Sequence, residues 1–196
     1  MHPLFHAKNI LLEDIVVEGC VNYHSLEINA SRNITVNNCT FKKQTYEGRD
    51  DFREAIQIDF ANYDGLKVDG AIETSKCYDG THCKNIMINE CTFDNVPNGI
   101  GTHTVTVFPT SYHTDIKINF CTFKNISNRA VKIAGMKSVL VNCVIGSNTD
   151  VYVNNLTKAH QCCGGIVYLD EPRTSKDILV KIYDKNKKKC IQAKYI

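Results

Sequence analysis

Asn33-Ile-Thr-Val-Asn-Asn-Cys-Thr-Phe41 returns as Asn85-Ile-Met-Ile-Asn-Glu-Cys-Thr-Phe93 and as Asp115-Ile-Lys-Ile-Asn-Phe-Cys-Thr-Phe123. Weaker copies are Asn9-Ile-Leu-Leu-Glu-Asp-Ile15 and Lys137-Ser-Val-Leu-Val-Asn-Cys143. Self-similarity with a fixed head and variable spacers is the mark of a solenoid, in which residues at matched positions become neighbours in space. Within each block the apolar residues alternate, as in Ile34 and Val36, Ile86 and Ile88, Ile116 and Ile118. That period of two specifies strand, and no stretch carries a sustained 3.6-residue period.

The Asn after each alternating pair, at Asn37, Asn89 and Asn119, is expected to make the bend into a second short strand that ends in Cys-Thr-Phe. Asn tolerates the left-handed backbone such a bend requires, and stacked Asn side chains can bond to their equivalents one turn away. A third alternating segment follows each block, namely Ser25–Ile28, Ala55–Ile58, Gly99–Thr102, Ala130–Ile133 and Gly165–Tyr168. Three short strands per turn, stacked about 4.8 Å apart and always running in one sense, pair in parallel. The expected fold class is all-β, a right-handed parallel β-helix of about five to six turns, in one domain over residues 1–196. The chain opens inside a repeat, so a fragment of a longer β-helix is expected.

Heads fall 24, 52, 30 and 22 residues apart, counted from Asn9, Asn33, Asn85, Asp115 and Lys137. The excess over a bare turn sits in loops at 42–53, 60–84, 104–114 and 144–163, all flanking the third strand. Insertions gathered along one face usually build a binding groove.

Composition excludes several classes. A formal net charge of +2 gives no dedicated nucleic-acid surface, and Lys187-Lys188-Lys189 reads as a solvated run. No apolar stretch reaches the roughly 20 residues of a membrane-spanning helix. Met1-His-Pro-Leu4 does not open a secretory signal, so location stays unknown: extracellular or cell surface if a longer form carries one, cytoplasmic otherwise. Four of the ten cysteines, Cys39, Cys91, Cys121 and Cys143, share one repeat position, which fits burial. Cys77 with Cys83 and Cys162 with Cys163 are open to disulfide or thiol readings. A metal loop at Cys77–Cys83 lacks a second ligand pair, so no metal or other cofactor is expected, and Ca²⁺ has no support.

Matching the third strands turn by turn gives three rows on the expected groove. One holds Asn29, Asp59, His103 and Ala134; the second Glu27, Gln57, Gly101 and Lys132; the third His24, Glu54, Asn98 and Arg129. Carboxylates beside a His and basic groups are what glycoside hydrolysis or β-elimination requires. Glu54, Asp59 and His103 are the candidate catalytic residues. Glu27, Gln57, Arg129 and Lys132 are the candidate substrate-binding residues. His2, His6, His113 and His160 give no constellation and read as surface or packing residues, and Asp79 as part of a turn.

The run from Pro3 to Gly19, then Tyr23–Ile28, then Asn33–Val36, resembles the pectin lyase-like superfamily, and within it the polygalacturonase-type glycoside hydrolases. The resemblance implies a parallel β-helix and places Glu54, in Phe52-Arg-Glu-Ala-Ile-Gln57, at the position of a catalytic Asp. The family's Asp-Asp pair falls on Pro97 and Asn98, and its Gly-His-Gly on Asn128, Arg129 and Ala130. Its Arg-Ile-Lys motif finds no match at Gly165–Tyr168. The expected function is cleavage of an extended, acidic polysaccharide, hydrolase ahead of lyase, with a polysaccharide or oligosaccharide as partner. The alternative is a non-catalytic carbohydrate-binding or structural β-helix module of a surface protein or phage tail spike. Self-association or further N-terminal turns would cover the edge of the first repeat.

Overall fold

The computed structural model describes residues 3–45, 47, 53–61, 79–102, 112–133, 136–145, 153–154, 167–169, 176–183 and 189–195. Every regular element among them is a strand. The first nine are β1 (Pro3–Phe5), β2 (Lys8–Glu13), β3 (Val16–Glu18), β4 (Leu26–Asn29), β5 (Arg32–Asn37), β6 (Thr40–Lys42), β7 (Glu54–Asp59), β8 (Lys84–Asn89) and β9 (Thr92–Asp94). The others are β10 (Asn98–Gly101), β11 (His113–Lys124), β12 (Arg129–Ile133), β13 (Met136–Ile145), β14 (Val153–Asn154), β15 (Val167–Leu169), β16 (Lys176–Tyr183) and β17 (Lys189–Tyr195).

The chain moves back and forth between two sheets. One has the order β1-β4-β7-β10-β12-β15-β14, and the other runs β17-β16-β13-β11-β8-β5-β2, with β3, β6 and β9 stacked beside it. Ile10 pairs with Ile34, Ile34 with Ile86, Ile86 with Ile116 and Ile116 with Val139, so the sequence repeat is the hydrogen-bonding register. Pairing among the described strands is parallel except at β16 and β17, where Ile178 faces Tyr195 in antiparallel sense. The long insertions fall largely outside the described residues, although Val153–Asn154 forms a strand within the stretch expected as the 144–163 loop.

Inward residues stack by kind. Ile34, Val36, Ile86, Ile88, Ile116 and Ile118 are buried from one sheet, and Ile28, Ile56, Ile58, Ile100 and Ile133 from the other. Each such side chain contributes about 1.5–3 kcal/mol by leaving water. Phe41 and Phe93 stack at 5.3 Å between ring centroids, Phe93 and Phe123 at 4.8 Å, with interplanar angles of 13° and 8°. Cys39, Cys91 and Cys121 are free and buried, as the repeat position implied. Their thiols face carbonyl oxygens of the preceding repeat, Leu12, Val36 and Ile88, at 3.7, 3.6 and 3.4 Å.

The corners differ from expectation by one residue. The left-handed backbone falls on Asn38, Glu90 and Phe120, each directly after the position expected to bend, and on Asp14 in the first repeat. Asn37, Asn89 and Asn119 remain in strand and supply side-chain bonds instead: Asn119 Nδ2 donates to Asn89 Oδ1 at 2.9 Å, and Asn37 Nδ2 to Glu13 Oε1 at 2.7 Å. A second left-handed column runs through the heads Asn9, Asn33, Asn85 and Asp115, and a third through Gly19, Lys43, Asn95 and Asn125. In the head column Asn33 Nδ2 donates to Asn9 Oδ1 at 2.8 Å and Asn85 Nδ2 to Asn33 Oδ1 at 3.0 Å. Short amides suit these corners because they accept positive φ and bridge one repeat spacing.

Two register details also differ from expectation. Phe120 is a bulge without an opposite number, since Asn119 faces Asn142 and Cys121 faces Cys143. Val139 therefore faces Ile116, which moves the head of that repeat from Lys137 to Ser138. Val131 faces Val167, so the last third strand starts one residue later than expected.

Glu90 is exposed at a φ of 53°, a conformation that a short amide adopts at lower cost than a longer side chain. Glu90→Asn should stabilise the protein by about 1 kcal/mol, read as an upward shift of the urea midpoint at constant slope. A lowered midpoint would mean that the corner geometry is not what limits this position.

Candidate functional site

Parallel stacking brings the expected rows together. Glu27 faces Gln57, Gln57 faces Gly101, and Asn29 faces Asp59. Glu54 faces Asn98, and Asn98 faces Arg129. Lys132, one residue beyond the pair Ile100 and Val131, continues the row of Gly101. His103 and Ala134 lie outside the described residues. The row geometry of Glu54, Asp59, Glu27, Gln57, Arg129 and Lys132 is therefore as read from the repeats.

Their environment is not. An outward row on an open groove should alternate with the buried Ile positions, yet all residues of β4, β7, β10 and β12 are buried. Glu54 is 1% exposed, Asp59 0%, Glu27 4% and Lys132 7%. Strands β5 and β8 of the other sheet do alternate, with exposed or half-buried outward positions. Over β4, β7, β10 and β12 the third-strand sheet is thus covered on both faces.

Several polar groups on the covered face bond to one another or to nearby backbone, along and between the strands. Gln57 Nε2 donates to Asp59 Oδ2 at 3.1 Å, and Asp59 Oδ1 accepts from the Phe60 amide at 2.9 Å. Asn29 Nδ2 donates to Glu27 Oε2 at 3.5 Å. Arg129 Nε donates to Asn98 Oδ1 at 3.4 Å, and Asn98 Nδ2 to the Arg53 carbonyl at 3.2 Å. His24 Nδ1 lies 2.8 Å from the Glu54 carbonyl oxygen, which can only accept, so that nitrogen carries the hydrogen. The same nitrogen is 3.7 Å from Glu54 Oε2. Buried polar residues persist where they are bonded in this way.

Gly101 leaves room for this layer. A Cβ at Gly101 would stand 2.8 Å from the Lys132 Cβ and 3.3 Å from the Glu54 Cγ, so the two side chains close over it.

A neighbouring cluster was not legible as a unit. The Cys83 amide donates to His113 Nδ1 at 3.1 Å, and the Cys83 thiol faces the carbonyl oxygens of Ile28 and Asp59 at 3.2 and 3.3 Å. His82 lies 5.0 Å from the His113 ring and stacks on Phe60 at 5.2 Å. Burial pushes the Cys83 thiol up to about 12, leaving it protonated and unreactive at neutral pH. Cys83 is a free thiol; Cys77, Cys162 and Cys163 lie outside the described residues. His113 is a core residue and His6 sits 3.9 Å from Asp79, whose Oδ1 accepts the Thr81 amide as in a turn.

Burial, and then the nearby His82, lower His113 to about 3, and burial lowers His82 as well. In the unfolded chain these imidazoles protonate near 6.5, so below that pH the unfolded state binds the extra protons. The stability these imidazoles contribute is complete above about pH 6.5 and is lost as pH drops toward about 3. His113→Gln keeps an acceptor for the Cys83 amide and should remove about one proton from that dependence. Equilibrium unfolding between about pH 5 and 7 reads it, above the range in which carboxylates titrate. An unchanged slope would show that His113 is not the group responsible.

The fold of this chain recurs among solved structures. It is similar in fold to a surface adhesin. The structure of the Streptococcus pneumoniae surface protein and adhesin PfbA aligns with a TM-score of 0.63 at 22% identity, over 73% of this chain and 35% of that one. A second crystal structure of PfbA gives 0.63 at 23%, over 73% and 32%. The chain thus spans about a third of the length of these proteins. No protein-family model and no curated protein matches the sequence.

Proposed function

We propose that this chain is a non-catalytic module of a surface protein, a right-handed parallel β-helix of about five to six turns and of the pectin lyase-like kind. The burial of Glu54 and Asp59 carries this reading: a polysaccharide cannot reach carboxyl groups that water does not reach. The broken family motifs at Pro97-Asn98 and Asn128-Arg129-Ala130 point the same way. The fold shared with PfbA, named as a surface adhesin, is compatible with it. In this reading the charged rows stiffen the sheet, and carbohydrate or another surface ligand is held elsewhere on the helix.

The rival reading, glycosidic bond cleavage by Glu54 and Asp59 with His103, draws on the His24 and Glu54 pair, a buried acid beside an imidazole. One experiment separates the two. The chain is incubated with a panel of neutral and acidic polysaccharides, and reducing ends and absorbance at about 235 nm are followed, the second reporting the unsaturated product of elimination. The proposal expects neither signal to rise, with Glu54→Gln folded and indistinguishable. New reducing ends that disappear in Glu54→Gln would replace the proposal with the hydrolase reading.

A further inference from the structure

One position near the start of each long strand of the second sheet forms a single file. Lys8 faces Arg32, Arg32 faces Lys84, and Lys84 faces Thr114. Thr114 faces Lys137, and Lys137 faces Lys176. Parallel strands lie about 4.8 Å apart, so the file is a straight cationic ridge broken at Thr114. Arg32, Lys84 and Lys137 are exposed, and none of them has a carboxylate within ion-pair range among the described residues. Lysines at another corner differ: Lys42 and Lys43 pair with Glu18, and Lys124 with Asp94. Like charges directly opposite one another destabilise a sheet, so the ridge does not serve the fold. An anion laid along it would relieve the repulsion.

The flanking residues narrow the choice of anion. Next to the ridge runs the left-handed column of Asn9, Asn33 and Asn85. Asn33 Nδ2 donates to Asn9 Oδ1 and Asn85 Nδ2 to Asn33 Oδ1, which spends one N–H of each amide and leaves the other for a ligand. Asp115 continues this column beside Thr114, where the ridge has its gap. Ridge and column share a corner of the solenoid, without walls to enclose a ring. A ligand there is held by charges that stand off its chain and by hydroxyl groups within reach of the amides. A sulfated polysaccharide has both. Its sulfate esters project from an extended backbone, and each offers several oxygens to an ammonium and an amide together. Duplex DNA winds its phosphates away from a straight file, and a membrane-binding face sets apolar side chains, not amides, beside its cations.

We propose that Arg32, Lys84 and Lys137, with the Asn33 and Asn85 amides beside them, form a binding ridge for a sulfated polysaccharide. The ridge lies apart from the covered third-strand sheet and binds without altering the sugar. It rests on the non-catalytic reading and supplies the ligand surface which that reading calls for.

Titration calorimetry with dextran sulfate in about 50 mM salt tests it, beside unsulfated dextran, polygalacturonate, duplex DNA and vesicles of anionic phospholipid. Dextran sulfate should bind, unsulfated dextran should not, and the other polyanions and the vesicles should bind at least tenfold more weakly. Raising the salt to about 500 mM should weaken binding at least tenfold, as counterion release from about three ionic contacts requires. The variant carrying Arg32→Gln, Lys84→Gln and Lys137→Gln should lose at least tenfold in affinity with its circular dichroism spectrum unchanged, because the three side chains are exposed. The charge-matched variant carrying Lys42→Gln, Lys43→Gln and Lys124→Gln should stay within twofold of the unaltered chain. Equal losses in the two variants overturn the proposal, since net charge alone would then account for binding. So does equal or tighter binding of polygalacturonate, DNA or the vesicles. Absence of binding without release of reducing ends overturns the proposal alone, whereas reducing ends released from dextran sulfate overturn the non-catalytic reading beneath it.

Discussion

Phe93→Ala is expected to lower stability by about 3–5 kcal/mol, a large share of what a domain of this size possesses. Phe93 is fully buried between Phe41 and Phe123, with centroids 5.3 and 4.8 Å away. Truncation removes both aromatic contacts and leaves a ring-sized void bounded by two side chains that the parallel register holds in place. Those neighbours cannot collapse inward without breaking the Thr40, Thr92 and Thr122 pairing beside them. Phe93→Leu keeps much of the volume and should cost about 1.5 kcal/mol. Urea unfolding of the two variants provides the check; a loss below about 1 kcal/mol for Phe93→Ala would mean that the stack is not a principal part of the core.

Gly99→Ala should be nearly as damaging, at about 3 kcal/mol or more, although it adds one methyl group. A Cβ there would stand 2.3 Å from the Ala130 carbonyl oxygen and 2.5 Å from Phe123 Cε1. One obstacle is backbone in the next strand and the other is a stacked ring, so neither yields cheaply. Gly101→Ala meets the Lys132 Cβ at 2.8 Å and the Lys132 carbonyl oxygen at 3.1 Å, contacts less severe than those at residue 99, and should cost less. Gly19→Ala meets nothing within 4 Å and bears only the strain of its φ of 74°. The order of loss, residue 99 above 101 above 19, is the test, measured by thermal and urea unfolding. An inverted order would show that backbone strain outweighs inter-strand spacing here.

The repeat register was legible because the three strong blocks carry inward Ile or Val, a Cys and a Phe at fixed offsets, and a parallel stack turns such offsets into contacts. The rows containing Glu54, Gln57 and Asp59 followed from the same alignment. Three features were not legible, each for its own reason. The bend belongs to Asn38, Glu90 and Phe120, and neither Glu nor Phe advertises a left-handed backbone. The bulge at Phe120 is invisible where Asn and Cys recur on both sides of it. The covering of the third-strand sheet depends on what packs upon its outer face, and a period-two pattern of polar residues reads the same whether that face is wet or buried. Sequence thus conveyed which residues of the candidate site are neighbours, and not whether a ligand can reach them.

The reversed direction of β17 against β16 has a consequence for colloidal behaviour. Stacked parallel strands with like side chains at intervals of about 4.8 Å have the architecture of a fibril, and such a stack could lengthen indefinitely by adding like units. A strand running backwards breaks that like-on-like register, so a unit added in the sense of the stack meets no equivalent strand at this edge. Among the described strands it interrupts the fibril-like repeat at this edge of the sheet.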